Sequence, residues 1–395
     1  MTIPEKVQLH MVIAVILFQY TTRNSVQLPF DWGAHYRYAL GFYKDLATEA
    51  SLPSLQAIAL ICTALRGFPK PGAAWLVSSH ALATAIEMGL HRSVTAWKDP
   101  KPEMSAHEIE MRKRVFWSIL CCHVIVGTKL GRPLAIHLED FDVQIPKIVH
   151  DNLPEEADNS DWQKCSFRPF VVFCGWLAVM MQLHGSVCTI RSTQQSHDST
   201  LGRLEKDLDA WIATIPPELR GNSQGQLEDR VFAMYLDFSA QHLRLLLHHP
   251  ALSRSQIRET ATRNLDICLD ASGKLLQLGT DMSALKSLDT TWYNATVFIA
   301  AIFTTLFVWS ERKDQITLSE LNDLKVTMDS WLSLMGDIGS LLGKSSSQPF
   351  QDACLHFGRN WITPAEQDRS NHIGSHRKHQ QAPGHKDSFG CCSLD

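Results

Sequence analysis

Gly72-Ala73-Ala74-Trp75, Gly89-Leu90-His91-Arg92, Arg112-Lys113-Arg114-Val115-Phe116-Trp117, Gly131-Arg132-Pro133 and Asp140-Phe141-Asp142-Val143-Gln144-Ile145-Pro146 follow one another between residues 72 and 146. Trp75, Ser79, Leu82 and Ile86 recur at spacings of four, three and four, which predicts a helix burying that stripe. Ser78, Ala81, Ala83 and Ala85 keep it slim enough for close packing. Gly89 supplies the left-handed residue that ends the helix. His91 and Arg92 come straight after this stop, where cations reach the last carbonyls and the helix dipole favours them; contact with a ligand or partner is the alternative role. A second helix opens at Glu108, with Glu110 and Arg114 spaced to pair, before Val115, Phe116, Ile119 and Leu120 take its buried face. The Arg112-Lys113-Arg114 triplet reads as a solvated face beside that ion pair rather than a nuclear-localisation or DNA-contact element. Gly131-Arg132-Pro133 is a rigid turn, and Arg132 is placed to form a charge-assisted fork with Asp140 or Asp142.

The rest of the chain keeps helical period. Leu55, Ile58, Ala59, Cys62 and Leu65 form one stripe; Leu201, Leu204, Leu208, Trp211 and Ile215 a second; Leu227, Val231, Met234, Phe238 and Leu245 a third. Ser105/Glu108, Ser253/Gln256 and Thr317/Glu320 have capping-box spacing. Gly67 with Pro69, Gly89, Pro216-Pro217 and Pro250 mark stops. No alternating apolar pattern bounded by hairpin turns competes, so the fold class is all-α. Thr95 to Met104 and the acidic stretch Asp151 to Asp161 read as surface connections. From about Gly343 the sequence turns to Ser, Gln, His and Gly and is expected to be disordered. The expected organisation is therefore residues 1–32 as an N-terminal helix and connection, 33–342 as a large helical domain, and 343–395 as a tail.

With 395 residues, 45% of them hydrophobic, the chain can bury one large core or two smaller ones. A net charge of -4 leaves no positive field to draw it onto nucleic acid or an anionic membrane, so DNA binding by these residues alone is disfavoured. Ten cysteines occur without a C-x2-C pair, which rules out a binuclear zinc cluster built from these spacings. Several sit in apolar helical runs, where a reduced thiol acts as a small hydrophobe. The run from Val7 to Phe18 lacks the basic flank and cleavage site of a signal peptide. Pro169 to Ile190 and Thr290 to Ser310 approach membrane-spanning length, but Gln182, His184 and Asn294 favour buried core helices.

The ordered clusters from Gly72 to Pro146 resemble the middle homology region of fungal zinc-cluster transcription factors. His35-Tyr36-Arg37-Tyr38-Ala39-Leu40, Pro53-Ser54-Leu55-Gln56-Ala57, Trp211 ahead of Ile215-Pro216-Pro217, and Leu245-Leu246-Leu247-His248-His249-Pro250 extend the resemblance over roughly residues 33 to 310. In that family the Phe-Trp pair is typically followed on its helix by a Tyr, an Asp-Arg pair and a Ser. Here those positions hold Leu120, His123, Val124 and Gly127. Loss of both partners of a buried ion pair need not harm the fold.

The resemblance implies a nuclear transcription regulator whose helical core responds to a small-molecule effector, a protein partner or a second copy of itself. It reaches promoter DNA only through a DNA-binding mate or an upstream zinc module, and no cofactor is expected in these residues. Trp75, His91, Arg92, Arg114, Trp117, Arg132 and Asp140 are the candidate effector-site or framework positions. The missing cluster leaves two expectations, a partner that acts through a DNA-binding mate or an incomplete gene model whose upstream exons encode the cluster, and Met1 lies close to the start of the family domain. Enzyme templates fall short. Gly339-Ser340-Leu341-Leu342-Gly343-Lys344-Ser345 misses phosphate-loop spacing, Glu139-Asp140-Phe141-Asp142 and Asn322-Asp323 do not place metal-binding carboxylates on one helical face, and no G-x-S-x-G or H-E-x-x-H occurs. His372, His376, His379 and His385 read as incidental, as does the ending Cys392-Ser393-Leu394-Asp395. The competing reading is an all-α enzyme or membrane-associated protein without a DNA role.

Overall fold

A computed structural model describes residues 1–24, 26, 29–65, 71–96, 104–148, 167–188, 194–221, 227–249, 258–289 and 291–342. Among them are twelve α-helices and no strand. In chain order these are α1 (Ile3–Asn24), α2 (Trp32–Gly41), α3 (Tyr43–Ala47), α4 (Leu52–Leu65), α5 (Pro71–Glu87) and α6 (Ala106–Lys129). Then follow α7 (Arg168–Ser186), α8 (Gln194–Thr214), α9 (Leu227–His248), α10 (Arg258–Ala284), α11 (Trp292–Glu311) and α12 (Leu318–Leu342). The Gly67 and Pro250 stops, the Ser253/Gln256 pair, the Asp151 to Asp161 stretch and the tail lie outside the described residues.

Helix starts follow local chemistry. Ser105 and Glu108 form a reciprocal capping box at α6, and Thr317 with Glu320 does the same at α12. Asp31 caps α2, its carboxylate accepting the Gly33 amide at 2.8 Å. Stops are as specific. At Gly89 (φ 65°) the Leu90 amide reaches the Ala85 carbonyl and the Gly89 amide that of Ile86, a Schellman ending. Gly131 (φ 60°) ends α6 in the same way, through Arg132 to Gly127 and Gly131 to Thr128. Lys286 (φ 52°) repeats the pattern after α10 with a side chain that strains it.

Packing runs serially along the chain. α1 lies on α2 and α4, α4 on α5 and α6, α6 on α7, α7 on α8 and α9, and α9 on α10, which α11 and α12 cover. One core joins α1 through α9, and all described residues belong to one compact unit. Val7, Met11 and Ala14 place α1 in this core with Leu55, Ile58 and Ile61 of α4, so the N-terminal helix is a wall of the main structure.

Three stripes of the sequence reading shift. α5 turns its small face inward: Ala74, Ser78, Ala81 and Ala85 are buried beside Leu82, Ala83 is exposed, and Trp75 is only partly covered. The α9 stripe moves too, leaving Leu227 57% exposed and burying Leu236, Phe238, Leu243, Leu245 and Leu247. Along α4, Ile61 joins Leu55, Ile58 and Cys62 inside. The α8 stripe is buried as read, from Leu201 to Trp211, with Ile215 just beyond.

Among the described residues two helices are long and apolar enough to cross a membrane, Arg168–Ser186 and Tyr293–Glu311. In this fold α7 buries Cys174, Trp176, Leu177, Val179, Met180 and Met181 against its neighbours. Burial pushes the Cys174 thiol up to about 12, and that of Cys268 likewise, so both stay protonated.

The α7–α8 contact rests on a glycine. Trp211 donates its indole N–H to the Val172 carbonyl at 2.8 Å, which lays its ring over Gly175. A Cβ there would sit 2.5 Å from Trp211 Cδ1, whereas one at Gly185 on the same helix meets nothing within 4 Å. Gly175→Ala is expected to lower stability by about 1–3 kcal/mol in urea denaturation, as overpacking does. Gly185→Ala is expected to be neutral or stabilising; equal losses from the two would contradict this packing.

Candidate functional site

Residues 141–147 run as extended chain past the end of α5 and along the first half of α6, and both sides hold them. Asp142 accepts the Ser93 amide at 2.7 Å and two bonds from Arg92, at 3.1 and 3.4 Å. The His91 carbonyl accepts the Asp142 and Val143 amides at 3.2 and 3.3 Å. Trp117 donates its indole N–H to the Gln144 carbonyl at 3.1 Å, and the Gln144 side chain donates to Ser93 Oγ at 2.9 Å. Phe141 packs edge-on against Phe116 and Trp117, with ring centroids 5.5 and 5.7 Å apart. At the far end the Lys147 amide donates to Glu110.

The basic triplet is folded into this clasp, which corrects its reading as a solvated face. Lys113 is buried and lies 3.7 Å from Glu110. Arg114 approaches Glu110 at 4.0 Å and rests its guanidinium 4.8 Å from the Phe167 ring centroid. Arg112 donates to the Met88 carbonyl at 3.1 Å. The cation at the end of α5 thus comes from α6, and not from His91 or Arg92 as their position suggests. His91 contributes its carbonyl instead, and its Nδ1 is buried without a hydrogen-bond partner.

Arg132 does not form the expected fork. Arg92 already occupies Asp142, Asp140 accepts the amide of His137 in its own short turn, and the Arg132 guanidinium lies 5.9 Å from the Trp75 ring centroid. The candidate residues therefore separate. His91, Arg92, Arg114 and Trp117 gather at the clasp, with Asp140 beside it, while Trp75 and Arg132 meet at the other end of α6, about 20 Å away at 1.5 Å per helical residue. Trp75 Nε1 is buried there without a hydrogen-bond partner.

The electrostatics follow the bonds. The Ser93 amide, then Arg92, hold the Asp142 carboxyl below the usual range. Burial, then the Arg92 cation, depress His91, against the opposing pull of Asp142 and Asp140. His123, standing where the resembled family has an acid, is fully buried, accepting the Ala135 amide at 3.2 Å and meeting Ser79 Oγ at 3.5 Å. One neutral imidazole thus ties α6 to α5 and to the following loop. Burial brings its pKa to about 4.

Sequence reading passed over two polar residues inside apolar surroundings. Lys129 Nζ lies 2.8 Å from His242 Nε2, and His242 is buried. A lysine closing an apolar helical run and a histidine inside the α9 repeat were the available signals.

Because the folded-state pKa of His123 is lowered, the unfolded chain takes up a proton first as pH falls below about 6.5, and the stability present at neutral pH is lost down to about 4. This one group is expected to cost roughly 3 kcal/mol across that window. Urea denaturation at pH 7 and 4.5 checks it: His123→Gln keeps an acceptor but cannot titrate, and should show the smaller loss. Equal losses would mean the imidazole charges without penalty.

The model of the fungal specific transcription factor domain matches residues 12–213, just over half of the chain and inclusive of the whole clasp. The resemblance read from motifs starts later and runs further, to about residue 310. The negative regulator of pleiotropic drug resistance STB5 of Candida glabrata is 32% identical over 142 residues, covering 35% of this chain and 14% of its own length. Activator of stress genes 1 of Saccharomyces cerevisiae is 26% identical over 226 residues, covering 54% and 23%. An ABC-transporter-regulating transcription factor of Aspergillus fumigatus is 24% identical over 217 residues, covering 53% and 22%. The chain thus spans less than a quarter of the length of these relatives. No solved structure matches. The clusters that order the sequence, the clasp they build and the family match over both make this chain a member of the fungal specific transcription factor domain family.

Proposed function

We propose that this chain is the regulatory part of a nuclear transcription regulator, working through conformation and without catalysis. The family match across residues 12–213 carries the reading. Relatives named as regulators of drug resistance, stress genes and ABC transporters support it. The net charge of -4 and the internal use of Arg112, Lys113 and Arg114 leave promoter contact to a DNA-binding partner or to a zinc module elsewhere in a longer protein. On this reading zinc belongs to that module and to none of these residues.

Regulation requires an effector or partner that binds one conformation better than another; tenfold discrimination is worth about 1.4 kcal/mol. The clasp is the rigid frame, and the helices beyond α6 are the body whose packing is selected. A direct test joins this chain to a heterologous DNA-binding domain and reads a promoter carrying that domain's sites. Reporter output is expected to change several-fold, up or down, with the fusion in the nucleus. The untethered chain should not retard promoter DNA. An unchanged reporter with stable nuclear fusion protein would contradict the proposal.

A further inference from the structure

Lys129 and His242 are two nitrogen bases held 2.8 Å apart between α6 and α9. Among the described residues no carboxylate hydrogen-bonds or ion-pairs with either. Lys129 is half-buried, and burial lowers its pKa to about 7. His242 is lowered as well, by burial first and the Lys129 charge second. Aromatic side chains surround the imidazole: the ring centroids of Trp176 and Phe238 lie 6.4 and 6.5 Å away, and both residues are buried. Trp75 packs against the small cluster of Ala74, Val126 and Tyr293 near the same end of α6, with its unpartnered indole N–H, and Arg132 stands over its ring with no ion pair among the described residues. The end of α6 therefore gathers several nitrogen-bearing side chains and, among the described residues, no carboxylate bonded to Lys129 or His242.

A structural role alone does not account for this. A lysine in the last turn of a helix favours the dipole when its ammonium faces the helix's own carbonyls. Here the amine turns instead to a base that offers no charge compensation, although burying a cation unpaired is costly. We infer that Lys129 and His242 form a binding site for a small organic acid with an apolar body, the carboxylate bridging the two nitrogens and the body lying against the Trp176 and Phe238 side. Binding replaces one bond between bases with two charge-assisted bonds to an anion. It also places the ligand across the contact between α6 and α9, so the acid favours an arrangement in which Lys129 and His242 part far enough to share it. This deepens the effector reading above by naming the effector's chemistry.

Sodium benzoate is the probe, with benzamide as its neutral isostere and inorganic phosphate as a non-aromatic anion, each followed by thermal denaturation of the purified full chain. Millimolar benzoate is expected to raise the midpoint by about 3 °C and the other two to do little. Lys129→Met and His242→Phe replace buried bases with apolar groups of similar size, so both should fold, and each should weaken the benzoate response at least about tenfold. No benzoate shift, equal shifts from benzoate, benzamide and phosphate, or a shift that survives both substitutions would overturn the site. Any of these would leave the tethered-reporter result untouched, since that experiment does not depend on an acid.

Discussion

The fold depends on the Asp142 carboxylate, which takes a backbone N–H from Ser93 and a fork from Arg92 while its own amide bonds back to His91. Extended chain beside helices has no ladder partner for its backbone groups. This arrangement supplies them in pairs from the turn that ends α5. Trp117 and Glu110 then secure the other side, so the loop joins α5 to α6 and fixes where α6 begins its course through the core. Motifs dispersed between residues 88 and 147 thereby act as one unit.

From that frame the serial packing follows. α6 carries Val115, Phe116, Ile119, Leu120 and Val124 into the core shared by α1 through α9. Its polar interior residues are held neutral or matched: His123 by burial between Ser79 and Ala135, Lys113 by Glu110. The far end differs, because among the described residues Lys129 hydrogen-bonds to another base and to no carboxylate. On the proposed reading, a helix clasped at one end and bearing a pair of bases at the other has a fixed part and a part whose neighbours an effector selects. This is the division of labour that a regulatory domain needs.

The all-α class, the capping boxes at Ser105 and Thr317, and the stop at Gly89 were legible because each rests on a local rule with few alternatives. The α8 stripe was legible too, since Leu, Trp and Ile on one face allow one burial. The α5 and α9 faces were not. In α5 the small residues go inward to let helices approach, which reverses the rule that the larger side chain is the buried one. At the site, residue types were read more readily than partners. By sequence distance Arg132, 10 positions from Asp142, is the nearer mate and Arg92, 50 positions away, the farther one, yet the turn at Gly89 brings Arg92 to it. Lys129 and His242 lie 113 positions apart, beyond any local pattern.

Hydrogen exchange at the backbone amides of Ser93, Asp142, Val143 and Lys147, in the parent chain and in Asp142→Ala, tests the clasp most directly. If these bonds form one cooperative unit, all four amides are protected in the parent and exchange at least about tenfold faster together in the variant, while α1 amides stay as they were. Unprotected Asp142 and Val143 amides in the parent, or a variant effect confined to Ser93, would contradict the claim that one carboxylate holds this frame.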